Sequence, residues 1–136
     1  MSAFALGSVA AAGVAATSLM KQIISLEVDM KKTKVSDLSG TALDWAVAKC
    51  EQGGQLPPGF NPRYSLPCST DWSDGGPIIE RESIQLTPNE DMESWSAGLM
   101  FRQGTEDYQG STPLVAAMRC YVASKLGNEI EVPDEL

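Results

Sequence analysis

The chain has 136 residues, and since a domain usually takes roughly 100–200, one domain is expected. Ten Lys and Arg face eighteen Asp and Glu, a formal net charge of −8, which opposes the attraction to phosphate that drives most nucleic-acid binding. Direct binding to DNA or RNA is therefore not expected. The sequence has no histidine, which excludes Ser-His-Asp triads, Cys-His dyads and His-ligated metal sites built within the chain.

The first thirty residues differ in composition from the rest. Residues 2–20 carry no charge and are long enough for a membrane span or a signal-peptide core. Alanine, glycine and serine dominate this run and no Lys or Arg precedes it, so insertion is weakly driven and no membrane association is expected. Residues 22–28 fit either a strand or a helix. Because ordinary composition begins near Met30, we predict an N-terminal extension at 1–29 and a single domain at 30–136.

The first periodic segment predicts a helix over residues 39–51. One face of it collects the apolar residues Leu43, Ala46, Val47 and Cys50. Trp45 points almost opposite this face and either covers a second surface or is exposed. Gly53 and Gly54 end the helix, and four prolines before Ser69 predict a loop.

A short helix is predicted next, over residues 77–82, with Pro77 at its first position; a strand is the alternative because Ile78 and Ile79 are β-branched. Residues 84–87 and 94–101 alternate apolar with polar side chains, which predicts an antiparallel hairpin. Residues 103–110 are polar and predict a loop.

The last helix has the best start and stop signals. Thr112 is a good N-cap, Pro113 fits the first helical position and Gly127 follows the last apolar residue, which predicts Pro113–Leu126. The acidic residues 129–136 predict an extended, largely solvated tail. Together the elements predict an α+β fold, a small α/β sandwich in which two or three helices pack on the hairpin. The expected core consists of Leu43, Val47, Ile84, Leu86, Trp95, Leu114, Met118 and Tyr121.

The three cysteines, Cys50, Cys68 and Cys120, are odd in number and form no CxxC pair, so free thiols in a reducing cytoplasm are expected. Cys50 and Cys120 fall in predicted helices, whereas Cys68 follows a proline in a loop and is expected to be accessible.

Two groups of residues are candidates for binding. Trp45 and Trp72, beside Asp44 and Asp71 and near Ser69, form a candidate aromatic patch for a protein partner, and burial of the tryptophans is the alternative. The second group would bind an anion such as a nucleotide: the predicted helix start would present the N–H groups of Gly75 and Gly76, with Arg81 or Arg119 as the cation. A structural turn and ordinary salt bridges are the alternative for this group.

The acidic residues Asp71, Asp74, Glu80 and Glu82 are close in sequence, but they lack the spacing of a calcium loop. Neither a metal nor a cofactor is expected. A hydrolase using Asp71 and Glu80 ranks last among the functions considered, because no base and nucleophile pattern accompanies these residues.

Five blocks of the sequence carry a resemblance to a known family. They are residues 34–40, 42–51, 69–72, 75–82 and 112–127. In this order they resemble the NinX-like family of small proteins encoded by tailed phages and prophages, over about residues 30–136. The resemblance implies a phage accessory protein of no established biochemical activity, and it supplies no catalytic residues.

We therefore expect a non-enzymatic phage accessory protein in the cytoplasm of the bacterial host, acting by binding a host protein. The alternative is a small-ligand protein that binds a nucleotide or another anion at the Gly75-Gly76-Pro77 helix start. The oligomeric state cannot be read from the sequence.

Overall fold

The computed structural model describes residues 29–100 and 106–136. Among these, Lys32–Val132 and Leu136 form one compact unit, and residues 29–31 and 133–135 belong to another. In the smaller unit the N–H of Asp134 donates to the carbonyl of Asp29. The predicted extension lies outside the described residues except for Asp29, so its boundary with the domain stays a prediction.

Three α-helices occur in the described residues. Helix α1 spans Gly40–Glu51, α2 spans Trp72–Glu82 and α3 spans Pro113–Leu126. The predictions for α1 and α3 are confirmed. The N-cap Thr112 accepts a hydrogen bond from the N–H of Val115 through its hydroxyl, which fixes the start of α3 as its sequence predicts.

Helix α2 begins five residues before the predicted start at Pro77. Its N-cap is Asp71, whose carboxylate accepts from the N–H of Ser73 at 2.9 Å. Pro77 therefore lies inside the helix, where its missing N–H leaves the Ser73 carbonyl without its usual helical donor. The strong cap at Asp71 determines the start, and the strand alternative for this segment is wrong.

Strands β2 (Ile84–Pro88) and β3 (Trp95–Leu99) form the predicted antiparallel hairpin, with Leu86 opposite Ala97. A third strand, β4 (Tyr108–Gly110), pairs antiparallel with β3. The loop predicted over residues 103–110 is therefore wrong for its last three residues. Residues 101–105, which include the predicted end of the hairpin at Phe101, lie outside the described residues.

The acidic tail is not a solvated end. Strand β5 (Glu129–Pro133) pairs with β1 (Met30–Lys34) in a second, two-stranded sheet. Ile130 and Val132 are buried while Glu129 and Glu131 between them are exposed. The sequence of this segment does alternate, since Glu129 and Glu131 are polar and Ile130 and Val132 are apolar. The acids nevertheless led to the prediction of a solvated tail.

Helix α3 is the centre of the larger unit and packs against β2, β3 and β4 as well as α1 and α2. Met118 on this helix is fully buried. The expected core is confirmed: Leu43, Val47, Ile84, Met118 and Tyr121 belong to one buried cluster, Leu86 and Trp95 pack against it, and Leu114 is buried as well. The protein has a small α+β fold. Within the described residues, no helix is long and apolar enough to cross a membrane.

The cap of α2 provides a stability test. Asp71→Ala should lower the free energy of unfolding by about 0.5–2 kcal/mol, because the N–H of Ser73 loses its acceptor. Ser69→Ala is the comparison: the Ser69 hydroxyl is buried and finds no hydrogen-bond partner among the described residues, so removing this unsatisfied group should not lower the free energy of unfolding. Urea unfolding of both variants measures the difference. Equal losses would mean that Ser69 contributes as much as Asp71 to the start of α2.

Candidate functional site

A groove of about 240 Å³ lies between α1, α2 and the segment that connects them. Helix α1 contributes Asp44, Val47, Ala48 and Glu51, which stand at helical spacing along one stripe. Helix α2 contributes Asp74 and Ile78, four residues apart. The connecting segment supplies most of the remaining apolar lining, with Leu56, Pro57, Phe60, Tyr64 and Leu66.

The apolar residues on the connecting segment differ sharply in exposure. Leu56 and Phe60 are half-buried against the core, whereas Tyr64 is 80% exposed and Leu66 is 62% exposed. Tyr64 ends a short 3₁₀ turn, Pro62–Tyr64, which Asn61 caps by accepting from the N–H of Arg63. The groove thus has an apolar floor and two large, exposed apolar side chains among its lining residues.

Asp44 is the buried charge of this groove. Its side chain lies on α1 with only 9% of the residue exposed, and its Oδ1 accepts from the N–H of Ser69 at 2.8 Å. Burial raises the pKa of Asp44, hydrogen bonding by Ser69 opposes the rise, and the nearby charge of Asp74 adds to it. Among the described residues, no Lys or Arg forms a salt bridge with Asp44.

Glu51, at the other end of the α1 stripe, is paired. Arg81 donates to both of its carboxylate oxygens, with N–O distances of 2.7 and 3.2 Å, and the Tyr121 hydroxyl donates to it as well. These hydrogen bonds hold the pKa of Glu51 below its ordinary value. Arg81 also bonds Glu82, so its guanidinium is committed to two carboxylates rather than open to an anion.

The two tryptophans do not form a shared exposed patch. Trp72 is 54% exposed, but Trp45 is only 6% exposed and belongs to the core, with the Lys49 ammonium 5.4 Å from its ring centre. Asp44 and Ser69 are also buried, so the surface predicted from these residues keeps only Asp71 and Trp72. Helix α1 is covered on more than one side, and for that reason the face opposite its apolar stripe is not solvent-exposed.

Gly75 and Gly76 do not present free N–H groups at a helix start. Both lie inside α2, and the N–H of Gly75 already donates to the carbonyl of Asp71 at 2.9 Å. Arg119 donates to the carbonyls of Leu38 and Gln109, at 2.8 and 2.6 Å. The anion site predicted from these glycines with Arg81 or Arg119 is therefore wrong in its geometry.

A larger, more polar cleft of about 980 Å³ lies near β4. Its charged lining contains the cations Lys34 and Arg119, and the acids Asp91, Glu93, Glu106, Asp107 and Glu129. This surplus of carboxylates repels anions such as nucleotides. Within the part of the chain that the structure describes, no group of three or more His, Cys, Asp and Glu is arranged to hold a metal ion.

The three thiols are all buried, which corrects the expectation that Cys68 is accessible. Burial raises the pKa of Cys50 to about 12 and those of Cys68 and Cys120 to about 11. Cys68 lies within the turn that leads into α2, and its burial depends on tertiary packing that the proline-rich sequence does not reveal. At neutral pH these thiols are protonated and weakly nucleophilic.

The raised pKa of Asp44 predicts a pH dependence of stability. The folded protein binds a proton at Asp44 more readily than the unfolded chain, so protonation stabilises the fold at low pH. This contribution is lost as pH rises through the folded pKa. Asp44→Asn keeps an acceptor for Ser69 and does not titrate. The free energy of unfolding of the wild type minus that of the variant should therefore fall with rising pH in urea titrations, and a rising difference would contradict the assignment.

Sequence reasoning missed Phe60, Tyr64 and Leu66 as groove residues. These residues lie in a segment without helical or strand periodicity, where no face can be assigned. The available signal was composition alone, since large apolar residues recur between four prolines in a segment that is otherwise polar.

Comparison with known proteins identifies a family. The family model described as Bacteriophage P22, NinX matches residues 34–125, which include both α1 and α2 and all of α3 but its last residue. No curated protein matches the chain significantly.

Proposed function

Because the chain belongs to the NinX family of phage proteins, we propose that it is a non-enzymatic accessory protein that acts by binding a host protein in the bacterial cytoplasm. The observation that carries this proposal is the apolar groove between α1 and α2, with Tyr64 and Leu66 exposed among its lining residues. Exposed apolar residues scattered singly are common, whereas Tyr64 and Leu66 both line one groove, which supports an interaction surface there.

The size of the groove favours a protein partner over a small ligand. Pockets for small molecules usually occupy about 300–1,000 Å³, and the groove, at about 240 Å³, is smaller. It suits one or two side chains of a protein segment. The larger cleft near β4 carries a surplus of acids, which argues against a nucleotide or another anion there. These two observations favour the host-protein reading over the small-ligand alternative.

A non-enzymatic role is supported by the chemistry of the described residues. The thiols are buried and protonated, and Glu51 is held by Arg81 and Tyr121. Asp71 and Glu80, the pair considered for hydrolysis, have separate surroundings: Asp71 caps α2, and Glu80 is exposed on that helix. Nothing in this arrangement pairs a nucleophile with a base.

The test is affinity capture from host lysate with the tagged full-length protein, compared with two variants. Leu66→Ser with Tyr64→Ser removes the exposed apolar groups of the groove. Met100→Ser is the matched control, because Met100 is 63% exposed, close to the 62% of Leu66, and does not line the groove. We expect the wild type and the control to capture the same host protein and the double variant to lose it. Capture that survives in the double variant would reject the groove as the binding surface.

A further inference from the structure

The groove combines an apolar surface with acidic side chains. Asp44, Glu51 and Asp74 line it, and none of the described lining residues is Lys or Arg. Glu51 is neutralised by Arg81 from outside the groove. Two carboxylates, Asp44 and Asp74, therefore remain without a salt-bridge partner among the described residues.

The burial of Asp44 is only partly compensated: the N–H of Ser69 donates to its Oδ1, but among the described residues no cation forms a salt bridge with it, so part of the cost of removing water from the charge remains. Asp44 is about nine-tenths buried, and its negative neighbour Asp74 adds repulsion. Asp74 is only partly buried, so a group that enters the groove from solvent can reach this pair of acids. A cation brought there would relieve both costs.

We propose that the groove binds a segment of the partner protein in which a Lys or Arg adjoins an apolar side chain. The apolar side chain packs against Phe60, Tyr64 and Leu66, and the cation pairs with Asp74 and Asp44. This proposal rests on the proposed function and specifies the chemistry of the partner. Charge complementarity selects such a segment over acidic or uncharged ones, since the acids of the groove repel the first and stay unpaired against the second.

A random peptide library displayed on phage is the probe, selected against the full-length wild type and against Asp74→Asn. Glu80→Gln is the matched control, because it removes one negative charge from the exposed side of the same helix and does not line the groove. We expect the wild type and Glu80→Gln to select sequences that pair Lys or Arg with an aromatic or aliphatic residue. Asp74→Asn should show a weaker preference for the cation, because only Asp44 remains to pair with it, and should keep the preference for the apolar residue.

The affinity of one selected peptide, measured by calorimetry, completes the test. Asp74→Asn should weaken binding by about tenfold, the effect of losing one charged hydrogen bond, and should reduce its dependence on salt. Glu80→Gln should change the affinity less than twofold, a threshold of about 0.4 kcal/mol at room temperature. Equal effects of the two variants would mean that only net charge matters and would overturn the proposal.

The outcomes separate this proposal from the function on which it rests. Selected peptides that lack a cation, yet lose binding in Leu66→Ser, would reject the charge assignment and leave the binding role intact. If no peptide binds and lysate capture also fails, the proposed function falls with it. If the wild type is a dimer by sedimentation and Leu66→Ser is a monomer, the groove is occupied by a second copy, and this too overturns the proposal.

Discussion

Replacing Trp45 by alanine should lower the free energy of unfolding by about 3–5 kcal/mol, the range found when large aromatic residues are removed from cores. Trp45 is 6% exposed, belongs to the main buried cluster and holds the Lys49 ammonium over its ring. The variant leaves a cavity beside α1 within the main buried cluster. Urea unfolding followed by circular dichroism measures the loss without depending on tryptophan fluorescence.

Trp72→Ala is the control for this prediction. Trp72 is 54% exposed at the first turn of α2, so its removal should change the free energy of unfolding by no more than about 0.5 kcal/mol. The same residue type is thus replaced once in the core and once on the surface. If both variants lose stability equally, Trp72 is covered in solution, and if neither does, α1 is not packed as described.

The parts of the fold that carry local signals were predicted from the sequence. Thr112, Pro113 and Gly127 mark both ends of α3, and alternation marks the β2–β3 hairpin. These signals act between residues near each other in the chain, so they can be recognised without knowledge of the tertiary structure. The start of α2 was predicted wrongly although its signals are local too, because Pro77 fits a first helical position and the stronger cap, Asp71, lies earlier.

The burial of side chains was less predictable than the elements that carry them. The hydrophobic face of α1 was predicted correctly, but the periodicity of one helix does not reveal that Trp45 is buried on another side as well. Strand β4 has only three residues and owes its existence to its pairing with β3. Both features depend on what lies opposite, and the sequence of the element does not contain that information.

The groove could not be predicted from the sequence for the same reason. Asp44 and Asp74 are thirty positions apart and meet the apolar segment only when α1 and α2 pack together. The sequence indicates Asp44 as a candidate because it adjoins Trp45, whereas in the structure its side chain accepts from the N–H of Ser69. The residue was therefore selected for a reason that the structure does not support, and its burial without a cation emerges only from the fold.

Gly75→Ala should destabilise the protein by about 1–3 kcal/mol, the usual cost of overpacking, although alanine is the better helix former. A Cβ at this position would overlap the carbonyl oxygen of Cys68 and lie 2.6 Å from Leu114 Cδ2. The peptide between Cys68 and Ser69 cannot move freely, because the N–H of Ser69 is bound to Asp44. Thermal and urea unfolding of the variant measure the loss.

Gly76→Ala, one residue further along the same helix, should have the opposite sign. Within the described parts of the chain, a Cβ there meets only the Trp72 ring, at 3.9 Å, so the substitution should stabilise α2 by about 0.5–1 kcal/mol through helix propensity. Gly75→Ala should also weaken the binding of a groove peptide, because the displaced Cys68–Ser69 peptide carries the hydrogen bond that holds Asp44. Stabilisation by both substitutions would mean that α2 does not approach this turn closely, and the wall of the groove would then be wrongly placed.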